Sequence, residues 1–91
     1  MADVQHETVY FTGHVQGVGF RYSTLQVAKE FEVTGRVSNQ PDGRVKLEAE
    51  GTPRDIAAFV TAVEERMHGY IRSVERTSAQ GPAQYNDFRI Q

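Results

Sequence analysis

TVYFTGHVQGVGFRYSTLQVAKEF, residues 8–31, changes its apolar period halfway along, and that change decides the fold. Over residues 8–15, Val9, Phe11 and Val15 fall on one parity with polar or amphipathic residues between them, the pattern of a strand with one buried face. From residue 20 the spacing turns helical. Phe20, Leu25, Ala28 and Phe31 form the expected inner face, while Gln26, Lys29, Glu30 and Glu32 are left for solvent and Gly35 lies just past the expected end. Between strand and helix stands HVQGVGFR, residues 14–21, a loop with two glycines and a closing arginine.

The rest of the chain continues the alternation. TGRVSN (34–39) and RVKLEAEG (44–51) flank Gln40-Pro41-Asp42-Gly43, where proline presets one turn dihedral and glycine supplies a positive φ, so two strands form a hairpin. In GTPRDIAAFVTAVEERM (51–67), Thr52 is placed to cap, Pro53 suits the first helical position, and Ile56, Phe59, Val60, Val63 and Met67 follow the 3,4 spacing. IRSVERTSA (71–79) reads as a fourth strand, and YNDFRIQ (85–91) leaves room for a short fifth. The order β-α-β-β-α-β predicts an α+β, ferredoxin-like sandwich: an antiparallel sheet with two helices on one face.

With 91 residues the chain is expected to make a single domain over 1–91. A net charge of −2 disfavours nucleic acid as a partner. The absence of cysteine excludes disulfides, thiolate nucleophiles and cysteine metal sites. MADVQHETVYF carries acidic residues where a signal peptide needs positive charge, and no apolar run approaches membrane-spanning length, so a cytoplasmic monomer with no membrane partner is expected.

A loop that joins a strand to a helix presents the unpaired N–H groups of the first helical turn, whose partial positive charge favours an anion. Gly17 and Gly19 let successive N–H groups turn inward, and Arg21 can add paired contacts to two oxygens of the same anion. Phosphate is the natural guest. Walker A is excluded by the missing Gly-Lys-Ser/Thr ending, and the dinucleotide fingerprint fails because Tyr22 stands where a third glycine belongs. The spacing of His14, Val15 and Arg21 resembles that of the cysteine-dependent phosphatases, with valine in the nucleophile's place. Val15 cannot attack, so hydrolysis at this loop has to use water.

Asn39 is the candidate to position that water. The first two strands of a β-α-β unit run parallel, so their carboxyl ends share one sheet edge, and Asn39, two residues past Val37, points toward the amino end of the first helix. Arg21 and Asn39 therefore converge. His6, His14 and His68 lack metal-ligand spacing, and Glu48, Glu50, Glu64 and Glu65 fall on expected outward, solvated faces. With neither a metal site nor a carboxylate pair, the loop suits a substrate whose leaving group needs no proton. An acyl phosphate, which expels a carboxylate, is such a substrate.

GHVQGVGFR (13–21), GRVSN (35–39) with PDGRV (41–45), and EGTP (50–53) before an amphipathic helix resemble the acylphosphatase family over nearly the whole chain. The resemblance implies hydrolysis of acyl phosphates to carboxylate and inorganic phosphate without a cofactor. It implies that Arg21 and the main-chain N–H groups of Val15, Gln16, Gly17, Val18, Gly19 and Phe20 bind the phosphoryl group, that Asn39 orients the water, and that the substrate's phosphate accepts its proton. The chain departs from the family's Gly-Trp-Val-Arg-Asn pattern at Arg36 and Ser38. Two other readings stay open at this stage: a non-catalytic anion-binding module, and an RNA-binding domain of the same fold. The second is disfavoured because Lys46, Glu48 and Glu50 would occupy the outward face of the third strand.

Overall fold

The computed structural model describes residues 3–91, and its sheet is organised around β1 (Val4–Gly13), the strand from which the opening stretch begins. The other elements are α1 (Phe20–Ala28), β2 (Thr34–Asn39), β3 (Val45–Gly51), α2 (Pro53–Arg66), β4 (Ile71–Gly81) and β5 (Phe88–Ile90). The strand order is β4-β1-β3-β2-β5. β3 lies antiparallel to both β1 and β2, so β1 and β2 are parallel with one strand between them, and both end at the same edge of the sheet.

One face of the sheet carries both helices. Val9 and Phe11 of β1 sit opposite Leu47 and Val45 of β3, and Leu47 sits opposite Val37 of β2, so the apolar parity of three strands lines up in register. These residues are fully buried against Ile56, Phe59, Val60 and Val63 of α2, whose start is fixed by Thr52 accepting from the Asp55 N–H at 3.1 Å.

The first helix is shorter than its apolar pattern predicts, and it turns a different stripe inward. Phe20, Thr24, Val27 and Ala28 are buried, whereas Leu25 and Phe31 are only partly so. At about 100° per residue, positions four, seven and eight beyond Phe20 stay on its face, while Leu25, five beyond, falls to the flank. Thr24 can occupy the core because its hydroxyl donates to the Phe20 carbonyl at 2.9 Å. Gly35 does not follow the helix as a cap. It lies within β2 at φ +155°, where a Cβ would come within 1.8 Å of the Glu48 carbonyl oxygen. Val15 is buried as expected, but beyond the end of β1 rather than within it.

The sheet is mixed, not purely antiparallel, because β5 pairs in parallel with β2 at the edge opposite β4. To reach that edge, the segment over residues 82–87 crosses the face away from the helices. Glu50 holds it there: the carboxylate accepts from the N–H groups of Gln84 at 2.8 Å and Tyr85 at 3.0 Å, and lies 3.1 Å from His6 Nδ1. Glu50 is therefore buried, 2% exposed, contrary to the solvated position expected from its parity. Glu48 is partly covered as well, accepting from the Tyr85 hydroxyl at 3.2 Å. Burial pushes the Glu50 carboxyl up, but the hydrogen bonds from His6, Gln84 and Tyr85 outweigh it and hold the group below its ordinary value.

Two consequences are measurable. Gly35→Ala should destabilise the fold by about 2 kcal/mol or more, seen as a lowered urea midpoint, because the added methyl meets backbone that cannot move without breaking the β2–β3 ladder. Because its folded-state value is depressed, Glu50 contributes stability that is fully present above its ordinary value of 4.5 and is lost as pH falls below it. The unfolding free energy should drop more steeply below that pH in wild type than in Glu50→Gln, and parallel curves would exclude this role.

Candidate active site

At the sheet edge shared by the ends of β1 and β2, the glycine loop closes over a cavity of about 180 Å³. Val15, Gly17, Gly19, Phe20 and Arg21 form its floor and one wall, and Asn39 faces them from the end of β2. Arg21 and Asn39 are thus brought together as the parallel arrangement of β1 and β2 predicts. Gln16 and Val18, also expected to bind phosphate through their N–H groups, belong to the loop but their residues do not line the cavity.

The loop is anchored at both ends by burial. Val15 is 1% exposed and Phe20 is 2% exposed, with the Phe20 ring packed against Phe11 at 5.0 Å between centroids. Between these anchors Gly17 and Gly19 take φ of +79° and +77°, a left-handed conformation that other residues adopt at a cost. Gly19 is also the residue before α1, and no side chain caps the helix there. Among the described residues, no backbone N–H from Val15 to Tyr22 donates to a backbone carbonyl. These unpaired donors, together with the positive end of α1 and an acid-free first turn, give the floor of the cavity a positive electrostatic character.

Sequence reasoning did not find what holds the loop and Arg21 from outside. The Gln16 amide donates to the carbonyls of Gln40 at 2.8 Å and Arg44 at 3.0 Å, latching the loop to the β2–β3 turn next to Asn39. One Arg21 Nη donates to the main-chain oxygen of Gln91 at 3.1 Å, and the Gln91 N–H in turn donates to the Val37 carbonyl at 2.8 Å. The last residues therefore reach the cavity, and Ile90 lines it together with Tyr22. A long-range amide-to-carbonyl bond leaves no periodic trace, so neither contact had a local signal.

The residues that depart from the family pattern have partners of their own. Arg36 donates to the Gly35 and Asp87 carbonyls and to the Asp87 carboxylate, and its guanidinium lies 4.7 Å from the centre of the Tyr85 ring. The Ser38 hydroxyl accepts from the Gln40 amide at 3.0 Å. Both point to the face away from the helices, while Asn39, of opposite parity, points to the cavity. His14 is exposed and outside the cavity lining, and among the described residues no group of three or more His, Asp or Glu side chains is placed to share a metal. Among the described residues no helix is long and apolar enough to cross a membrane.

Comparison with known proteins gives a consistent result. A family model described as acylphosphatase matches residues 7–90. An acylphosphatase of Paenarthrobacter aurescens (strain TC1) is 39% identical over 84 residues, covering 91% of this chain and 89% of that one. One from Lactiplantibacillus plantarum is 39% identical over 85 residues, covering 91% and 93%. The crystal structure of acylphosphatase from Bacillus subtilis superposes with a TM-score of 0.82 at 30% identity, over 97% of this chain and 98% of that one.

The Gln16 latch predicts that Gln16→Ala costs about 1 kcal/mol of stability and speeds amide hydrogen exchange over residues 40–44. Unchanged exchange in that turn would rule the latch out.

Proposed function

Since the chain belongs to the acylphosphatase family and is an acyl phosphate hydrolase, we propose that its glycine loop and Arg21 hold the phosphoryl group while Asn39 positions the attacking water. The observation that carries this reading is the single cavity into which the unbonded floor of the loop, Arg21 and Asn39 all open. In the proposed complex the main-chain N–H groups of Val15, Gln16, Gly17, Val18, Gly19 and Phe20 surround the phosphoryl oxygens. The Arg21 guanidinium contributes the full positive charge. As charge builds on these oxygens in the transition state, preorganised donors stabilise it without having to reorient.

The Asn39 amide has both a donor and an acceptor, enough to fix a water's orientation without removing its proton. Among the described residues no carboxylate or imidazole side chain lines the cavity to act as a base. The proton therefore passes to a phosphoryl oxygen. Water oxygen forms the new bond to phosphorus, the bond from phosphorus to the acyl oxygen breaks, and the carboxylate departs with the electron pair. Being stable at neutral pH, it needs no acid to leave. The same reading takes residues 1–91 as one domain acting as a cytoplasmic monomer, independent of metal and without a nucleic-acid partner. The net charge of −2 disfavours a nucleic-acid partner, and the lack of cysteine removes thiolates as metal ligands.

Benzoyl phosphate hydrolysis and inorganic phosphate binding, measured on wild type and two variants, separate the assigned roles. Arg21→Gln should lower kcat/KM by about 10²–10³ and weaken phosphate binding by about tenfold or more. Asn39→Ala should lower kcat by about 10² and leave phosphate affinity nearly unchanged. Equal loss of phosphate affinity in both variants would contradict this division, and undiminished turnover in either would remove its residue from the mechanism.

A further inference from the structure

We propose that Arg36 is a positioning residue for Arg21: by fastening Asp87 it sets where β5 lies along β2, and through β5 it places the main-chain oxygen to which the Arg21 guanidinium donates. The inference rests on the phosphoryl site proposed above and concerns what keeps its cation aimed. Arg36 stands at one of the two positions where the chain departs from the family pattern, with a guanidinium in place of an indole. A guanidinium can bond across to a neighbouring strand through several N–H groups, which an indole with its single donor cannot.

By itself β5 holds its register weakly. It has three residues, lies at the edge of the sheet and pairs in parallel with β2 alone, through Gly35↔Phe88, Arg36↔Arg89 and Val37↔Ile90. Parallel pairing is the weaker kind per residue, and so short an edge strand adds little stability of its own. The Phe88 ring, edge-on to Phe59 with 5.5 Å between centroids, fixes the face that β5 turns to the core. Apolar contact is non-directional, so it resists a slide along β2 less sharply than a set of hydrogen bonds does. A slide of one residue is about 3.3 Å, enough to carry an oxygen out of hydrogen-bonding reach.

Arg36 supplies the stop. One of its Nη atoms donates to the Gly35 carbonyl of its own strand at 2.6 Å, and to both the carbonyl and the carboxylate of Asp87, just ahead of β5, at 3.0 Å. The Asp87 carbonyl also accepts from the Gly35 N–H at 2.9 Å, so main chain and side chain of β2 grip the same residue. Tyr85 steadies the guanidinium from above, its ring centre 4.7 Å away and its own N–H bonded to Glu50. An ion pair this open to solvent, with Asp87 43% exposed, contributes little to global stability, so its effect is on local placement. At the far end of β5 the Gln91 N–H is bonded to the Val37 carbonyl, and among the described residues the main-chain oxygen of Gln91 is the only protein acceptor bonded to the Arg21 side chain. Paired contacts to two phosphoryl oxygens need the guanidinium held in one orientation, and a loosened β5 takes that fixed partner away. Arg36 itself does not line the cavity and acts only through β5.

The test is a double-mutant cycle on inorganic phosphate affinity with Arg36→Ala, Arg21→Gln and the two together, alongside kcat and KM for benzoyl phosphate. Arg36→Ala should weaken phosphate binding and raise KM about threefold to tenfold, with a smaller change in kcat. In the Arg21→Gln background the same substitution should leave phosphate affinity unchanged, because no guanidinium remains to be aimed. An Arg36 that only stabilises the fold would lower the urea midpoint and leave phosphate affinity unmoved, or shift it by the same factor in both backgrounds, and either result overturns the proposal. Asp87→Asn, which keeps the main-chain bonds of residue 87 and removes its charge, should give the same pattern at smaller size, and it carries the cycle if Arg36→Ala does not fold. Phosphate binding by Arg21→Gln as tight as wild type would overturn the phosphoryl site itself. Weakened binding in Arg21→Gln with wild-type binding in Arg36→Ala would overturn the positioning role alone.

Discussion

The site depends on one constraint: a run of backbone N–H groups has to be kept from bonding to the protein's own carbonyls while staying fixed in space. Helix starts leave such donors by geometry, and a capping side chain commonly takes one or two of the four. Here the residue before α1 is Gly19, which has no side chain to offer. The groups stay available because Val15 and Phe20, on either side of the glycines, are locked into the core and the loop between them has little freedom to rearrange. Packing under the loop thus does the positioning that side-chain caps do elsewhere.

The remaining architecture brings two further groups to that loop. Placing β3 between β1 and β2 sets Asn39 across the cavity at a separation of two strands, about 10 Å between backbones, wide enough for a phosphoryl group and a water. The crossing segment over residues 82–87 returns the chain to the β2 edge. There β5 delivers Ile90 to the rim and the main-chain oxygen of Gln91 to Arg21. The Glu50 carboxylate and the Arg36–Asp87 pair hold this crossing on the face away from the helices. Contacts on that face therefore bear on the site only through the strand they secure.

Much of this was legible in the sequence because it rests on local rules. The alternation of Val9 and Phe11, the capped start at Thr52-Pro53, the Pro41-Asp42-Gly43 turn and the glycine loop each have a short-range cause, and topology then fixes where Arg21 and Asn39 meet. What could not be read depends on partners far along the chain. Leu25 is the exception, misjudged for a local reason: counted at about 100° per residue from Phe20 it falls off the inner face, which Thr24 and Val27 occupy instead. Glu50 has the parity of a solvent-facing residue and becomes buried only because a later segment crosses over it. The parallel pairing of β5, the Gln16 latch and the rim formed by Tyr22 and Ile90 are likewise contacts between segments with no shared period.

In the proposed mechanism the loop's own N–H groups hold the phosphoryl group. Titrating the ¹⁵N-labelled protein with inorganic phosphate and following its amide resonances tests it most directly. The largest shifts, saturating together at one affinity, should fall on the amides of Val15 to Phe20 and on the Arg21 side chain. Saturable binding that leaves the loop amides unmoved and shifts resonances elsewhere would contradict it.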